Sequence, residues 1–159
     1  MKRSLTAILM ALGFSTSALA QEFYVGGHVG GIGTSETSEI GYGVHAGSDP
    51  SGLAAFQLDL TFAPFAGGTF ISSSPALVLY PIQYEEFNLG FMVGGGFYKY
   101  PEVSTKFGLN AGVTGDFMLA PGFSVGLETR YHAVLSSSAD LWSAFFTLRY
   151  HFESGDGGW

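Results

Sequence analysis

The chain contains no cysteine, so neither a disulfide staple nor thiolate chemistry is open to it. Charge is scarce as well. Asp, Glu, Lys and Arg together make up 12% of the residues, against about a quarter in ordinary soluble domains. Basic residues number only six against thirteen acidic ones and form no patch, which excludes a nucleic-acid partner. Beyond the first twenty residues there is no apolar run long enough to cross a bilayer as a helix. A membrane structure built from this chain would therefore have to be a closed barrel of strands.

What is present begins with "MKRSLTAILMALGFSTSALAQEF". Lys2 and Arg3 form a positive start, Leu5 to Phe14 is mostly apolar, and Ala18-Leu19-Ala20 supplies a small-x-small cleavage pattern. These are the parts of a Sec signal peptide, expected to occupy residues 1–20. The remainder is read as one domain over 21–152 and a short periplasmic tail over 153–159.

Strand signals then recur at short spacing, eight in all. "EFYVGGHVGGIG" sets Phe23, Val25 and Val29 against Tyr24, Gly26, His28 and Gly30. "EIGYGVHAG" sets Ile40, Tyr42 and Val44 against Gly41, Gly43, His45 and Gly47. "AAFQLDLTF", "FNLGFMVGGGFY", "FGLNAGVTGDF", "FSVGLETRYHA" and the closing "FFTLRYHF" alternate in the same way. The fourth strand, "ALVLYPI", is apolar on both faces, so its register stays open. A loop is expected from about Ala63 to Pro75, and turns at "DPSG", near "PIQYEE" and at "LAPG".

In the seven strands of clear register, Asp, Glu, Arg and His past the strand start share one face, and glycine dominates it. The solvated face of a soluble sheet favours Thr, Lys and Glu, because glycine weakens strands. The interior of a narrow barrel, only wide enough for side chains to fill, does favour small residues. A charge on the lipid side at mid-depth would instead cost about 2–4 kcal/mol. The pattern thus predicts an all-β, eight-stranded antiparallel up-and-down transmembrane barrel, inverted relative to a soluble protein. Aromatic girdles are expected at both rims: Phe23, Tyr80, Phe87, Phe117, Phe123 and Phe152 at one, and Phe62, Phe97, Tyr100, Phe107, Tyr131 and Trp142 at the other.

On these residues the chain resembles the small OmpA/OmpX/Ail-type outer-membrane barrels of Gram-negative bacteria. The resemblance implies an outer-membrane location and contact with outer-membrane lipids and lipopolysaccharide. It also implies insertion by the barrel-assembly machinery, which would read Phe146, Leu148, Tyr150 and Phe152 as the C-terminal assembly signal, and a monomer. The chain departs from the family in its tail after Phe152 and in outer loops shorter than those of adhesive members.

Three constellations could carry chemistry. Asp59, Asp116, Glu128, Arg130 and Arg149 are the inward charges, expected to pair as a plug, with Glu128 close to opposite Arg149 and Arg130 in reach of Asp59. The interior histidines are His28, His45, His132 and His151. A hairpin centred on Glu36-Thr37 would put His28 opposite His45, beside Gln57 or Asp59. Zn²⁺ accepts two imidazoles and a carboxylate, yet no third ligand is clear, so a hydrogen-bonded pair without metal or other cofactor is expected. Finally, His132, Ser136 to Ser138 and Asp140 resemble the polar set of enzymes that acylate or deacylate lipid A, but a polar hairpin loop explains them as well. No catalytic residue is assigned. Lys99 and Lys106 are the cations placed to meet anionic lipid at the outer rim. The sequence is read as a structural, envelope-integrity or surface-interaction protein. The alternatives are a lipid A-modifying enzyme, a narrow solute or ion pore, and a soluble exported binding module.

Overall fold

The fold was obtained as a computed structural model, which describes residues 23–48, 53–101, 104–135 and 140–152. The leader, the "DPSG" turn, Glu102, the serines at 136–138 and the tail after Phe152 lie outside these residues.

Eight strands follow one another: β1 (Phe23–Gly33), β2 (Ser38–Ser48), β3 (Ala54–Phe65), β4 (Gly68–Gln83), β5 (Phe87–Lys99), β6 (Lys106–Ala120), β7 (Phe123–Val134) and β8 (Leu141–Phe152). Each pairs antiparallel with the next, and β1 pairs with β8 from Phe23↔Phe152 to Gly33↔Trp142, closing the sheet into a barrel. Closure removes both sheet edges, so every strand has a backbone partner on each side. The shortest strands have 11 residues; tilted about 40°, such a strand rises about 28 Å, close to the apolar band of outer-membrane barrels.

Side-chain alternation sorts residues between wall and lumen. Phe146 is 68% exposed on the outer wall, while Arg149, three residues on, is 2% exposed in the lumen. Between the strand ends, the outward positions of the described strands carry no Asp, Glu, Lys or Arg. The outward set is instead dominated by Val, Leu, Ile, Phe and Tyr, with Gly27, Gly31, Gly95 and Gly115 as small residues among them.

The turns described in full are short. Thr34 to Thr37 close β1–β2, with the Thr34 hydroxyl accepting from the amides of Glu36 (3.2 Å) and Thr37 (3.3 Å). Pro121-Gly122 closes β6–β7, with Gly122 at φ 78°, the left-handed position a type II turn reserves for glycine.

The fourth strand differs from the sequence expectation. Ala63 to Pro75 is not a loop: β3 and β4 run on to a two-residue turn at Ala66-Gly67, with Gly67 at φ 92°. Ser72 and Ser74, which read as turn residues, are buried and face the lumen. Pro75 stays in the strand; the β4–β5 pairing passes from Ser73↔Phe97 to Ala76↔Gly94 in unchanged register, the gap a residue without an N–H leaves. Ala76, Val78 and Tyr80 point inward and Leu77 and Leu79 outward, and a register shift follows between Leu79 and Ile82. Two girdle assignments fall with this. Tyr80 is buried in the lumen, and Tyr100 packs at its mouth, 5.2 Å from the Phe70 ring.

The lumen is filled in three layers. Nearest the chain ends, Ala55, Val78, Tyr80 and Met92 form an apolar cluster. At the opposite end a larger one joins Ile32, Ala63, Phe70, Tyr98, Val134, Leu141 and Phe145, with Phe65 and Tyr100 against it. Charged and polar side chains lie between them.

Inward glycines make the room for this. A Cβ at Gly43 would meet the Leu60 carbonyl oxygen and sit 2.7 Å from His28 Nε2, whereas at outward Gly27 the nearest atom is 3.7 Å away. Gly43→Ala is therefore expected to destabilise the barrel by about 1–3 kcal/mol, the usual cost of overpacking. Gly27→Ala is expected to change the urea unfolding midpoint little. Equal midpoints for the two variants would contradict this assignment of faces.

Candidate functional site

The middle layer draws one or two residues from each of four strands, each delivered by the two-residue repeat. Gln57 and Asp59 come from β3, Asp116 from β6, Glu128 and Arg130 from β7, and Arg149 from β8. All six are 5% exposed or less.

Two guanidinium groups are shared among three carboxylates. Arg130 Nη2 lies 2.5 Å from Asp59 Oδ2, and Arg130 Nε lies 2.7 Å from Glu128 Oε1. Arg149 pairs through Nη1 with Asp116 Oδ2 and reaches Glu128 Oε2 at 3.7 Å. Glu128 thus bridges both arginines. Gln57, fully buried, ties the set together. Its amide nitrogen donates to Asp59 Oδ1 and Glu128 Oε2, both at 2.9 Å. Its carbonyl accepts from the Tyr24 hydroxyl at 2.5 Å and from Arg149 Nη2 at 3.4 Å. The Tyr24 ring also lies 5.0 Å from the Arg149 guanidinium carbon, a cation–π contact.

Glu128 and Arg149 meet, but not as cross-strand neighbours. The β7–β8 register places Glu128 opposite Phe145 and Arg149 opposite Ser124. The expectation of near-opposite positions assumed a hairpin centred later in the loop; the long arginine side chain bridges the offset.

The histidines divide similarly. The β1–β2 turn is centred one residue earlier than expected, so His45 stands opposite Gly26 and His28 opposite Gly43. The absent side chains let the two imidazoles meet on the diagonal. Their rings are near-parallel at 5.5 Å, with Nδ1 to Nδ1 at 3.3 Å. Arg149 Nε can only donate, and it does so to His45 Nε2 at 3.3 Å. His45 therefore carries its proton on Nδ1 and donates to His28 Nδ1, and His28 Nε2–H donates to Thr61 Oγ1 at 2.9 Å. Asp59 lies directly opposite His45 in the β2–β3 register.

His132 lies nearer the loop end, between the Tyr98 hydroxyl (2.9 Å) and Ser143 Oγ (3.0 Å). Asp140 is on the other side of the wall, exposed and bonded by the Tyr131 hydroxyl. The barrel wall thus separates His132 from the Asp140 carboxylate. His151 faces inward near the terminal end, 2.8 Å from Ser124 Oγ. Lys99 is exposed at the end of β5, and half-buried Lys106 begins β6 opposite Tyr98. Phe146, Leu148, Tyr150 and Phe152 line the outer wall, the last stacked on Phe23 at 4.6 Å. At the mouth, burial pushes the Tyr100 phenol up to about 12, so it stays neutral.

No family model matches the chain. A search of curated proteins also finds no match. Solved structures do match. The N-terminal β-barrel domain of Pseudomonas aeruginosa OprF superposes with a TM-score of 0.63 at 11% identity, over 81% of this chain and 97% of that one. Ail, the attachment invasion locus protein of Yersinia pestis, matches at 0.58 and 14% identity, covering 83% and 97%. Neisserial surface protein A matches at 0.57 and 12%, covering 84% and 97%. The chain has the fold of the small eight-stranded outer-membrane barrels. Such likeness is architectural, and at these identities it carries no activity across.

Sequence reading missed the neutral members of the layer: Gln57 as its hub, Tyr24, Thr114 and Thr61. All stand at inward positions, so the two-residue repeat placed them in the lumen; nothing in it singles out a hub. Chemically the layer holds charges in place: Arg130 and Arg149 are clamped among carboxylates and amides.

Breaking a buried pair strands its partner, which costs about 3–5 kcal/mol. Glu128→Ala and Arg149→Ala are each expected to lose that much in urea unfolding, and the double variant less than their sum. Strict additivity, or single variants as stable as the parent, would show that these charges are not coupled.

Proposed function

We propose that the protein is an integral outer-membrane barrel that works through its wall and rims and not through its lumen. The observation that carries this reading is the filled interior, in which a hydrogen-bonded ion layer lies between two apolar clusters. An ion crossing it would have to part guanidinium–carboxylate pairs in a low-dielectric interior, which is costly. Beside the layer is a cavity of about 10 Å³ bounded by His28, Asp59, Thr61, Arg130 and His132, room for about one water.

The role is structural: a rigid, charge-plugged stave that packs against lipopolysaccharide and supports the envelope, or makes modest surface contacts through its loops. Outer-membrane location is supported by the uncharged outward belt and by the signal-like residues 1–20. Lys99 and Lys106, neighbours at the loop end of β5 and β6, would meet the phosphates of lipid A. The rings of Phe97, two residues before Lys99, and Phe107, one after Lys106, lie 5.6 Å apart as an interfacial girdle beneath them. The barrel-assembly machinery would read the β8 aromatics during insertion, and the barrel would stand as a monomer. A lipid A-modifying activity is disfavoured by the opposed directions of His132 and Asp140.

Reconstituted in planar bilayers, the purified protein is expected to give no stepwise conductance. In native membranes it is expected to resist carbonate extraction, with cysteines placed at Leu127 and Leu148 shielded from a water-soluble maleimide. Discrete channel currents would establish the pore instead, and a carbonate-soluble, freely labelled protein would remove the membrane assignment altogether.

A further inference from the structure

We propose that His28, His45 and Asp59 form a binding site for a divalent cation of the zinc class inside the lumen. Their candidate ligand atoms, one from each side chain, all lie within 4.8 Å of one another, and all three residues are buried. The spacing of the imidazoles is the first argument. Two nitrogens bound at about 2.0–2.1 Å to a tetrahedral ion stand about 3.3–3.4 Å apart. His28 Nδ1 and His45 Nδ1 are 3.3 Å apart.

The second argument is orientation. His28 Nε2–H is held by Thr61 Oγ1 at 2.9 Å, which leaves Nδ1 as the lone-pair nitrogen. A second-shell bond of this kind is how metal-binding histidines are commonly aimed. Asp59 uses Oδ2 for Arg130 and Oδ1 for Gln57, and each carboxylate oxygen retains a further lone pair.

Charge is the third. Three buried carboxylates face two guanidinium groups in this layer, so one negative charge is in excess with the histidines neutral. A buried divalent cation would offset it, where a bare imidazole pair does not. Space is the fourth: two of the three ligands, His28 and Asp59, border a cavity of about 10 Å³ with room for about one water. Two imidazoles and one carboxylate select a borderline ion such as Zn²⁺ or Co²⁺ over Ca²⁺ and Mg²⁺, which prefer oxygen.

Binding has a cost inside the layer. Ligation at both Nδ1 atoms moves the His45 proton to Nε2, so the hydrogen bond from His45 to His28 and the 3.3 Å contact from Arg149 Nε are both given up. Arg149 keeps Asp116, Gln57 and Glu128. The metal-loaded lumen is thus a second arrangement of the same residues, with Arg149 turned from the histidines toward its carboxylates.

Co²⁺ titration of the untagged protein in detergent tests this. The ion is added to the folded barrel and, in a parallel sample, supplied during refolding, since apolar clusters close both ends. The expected result is a single Co²⁺ per chain, with the intense visible absorption of tetrahedral Co²⁺, displaced by Zn²⁺. Affinity is expected to fall at least tenfold in His28→Gln and in His45→Gln and to be unchanged in His132→Gln. Heat-modified gel mobility identifies any variant that fails to fold; wild-type stoichiometry and the remaining variants then decide. Absence of a stoichiometric tetrahedral signal under both loading conditions would overturn the site, as would wild-type affinity in the folded His28→Gln/His45→Gln double variant.

Discussion

Two arginines held among three carboxylates, within a ring of strands too narrow for bulk water, set the terms for the rest of this molecule. Charges so placed cannot stand alone: an isolated ion in a low-dielectric interior costs several kcal/mol even after relaxation. Each guanidinium therefore has to find a carboxylate across the lumen, and the strands that carry them have to stand at fixed heights. Arg130 to Asp59 joins β7 to β3, and Arg149 to Asp116 joins β8 to β6. These links span the barrel where backbone hydrogen bonds cannot, since the ladders join only adjacent strands.

The glycines serve the same constraint. Side chains as large as arginine, tyrosine and glutamine share a cross-section bounded by only eight strands, so neighbouring inward positions have to be empty. Gly112 lies against Arg130, where a Cβ would approach Arg130 Cγ to 2.9 Å and meet the Thr129 carbonyl oxygen. Gly126 lies under Asp116 and Thr147 in the same manner. Their presence in strands, unfavourable by local propensity, follows from the volume of their cross-lumen neighbours. On the outer wall no such demand exists, and bulky apolar side chains prevail there.

The charged residues were legible in advance because alternation alone puts Arg149 and Phe146 on opposite faces. The fourth strand was not. Ser72, Ser74 and Pro75 have the chemistry of a turn; they join a strand because Ser74 finds Asn110 across the lumen at 2.6 Å and Pro75 coincides with a gap in the ladder. Tyr80 was misplaced for a related reason. With apolar residues on both sides of β4, its face depends on pairing with β3 and on the shift beyond Leu79. His28 and His45 sat in the right strands, but a turn centred one residue earlier made their contact diagonal.

By itself the chain settled the two-residue repeat, the scarcity of charge and the face on which each charge would lie. Those are local properties, carried by neighbouring residues. Only the tertiary structure decided how the partners meet, with Gln57 at the hub, Glu128 shared between two arginines, and His28 diagonal to His45. The physical reason is that heights across a closed barrel accumulate from the register of every hairpin between two residues. A one-residue change in a turn alters what meets across the lumen without altering the pattern along any strand.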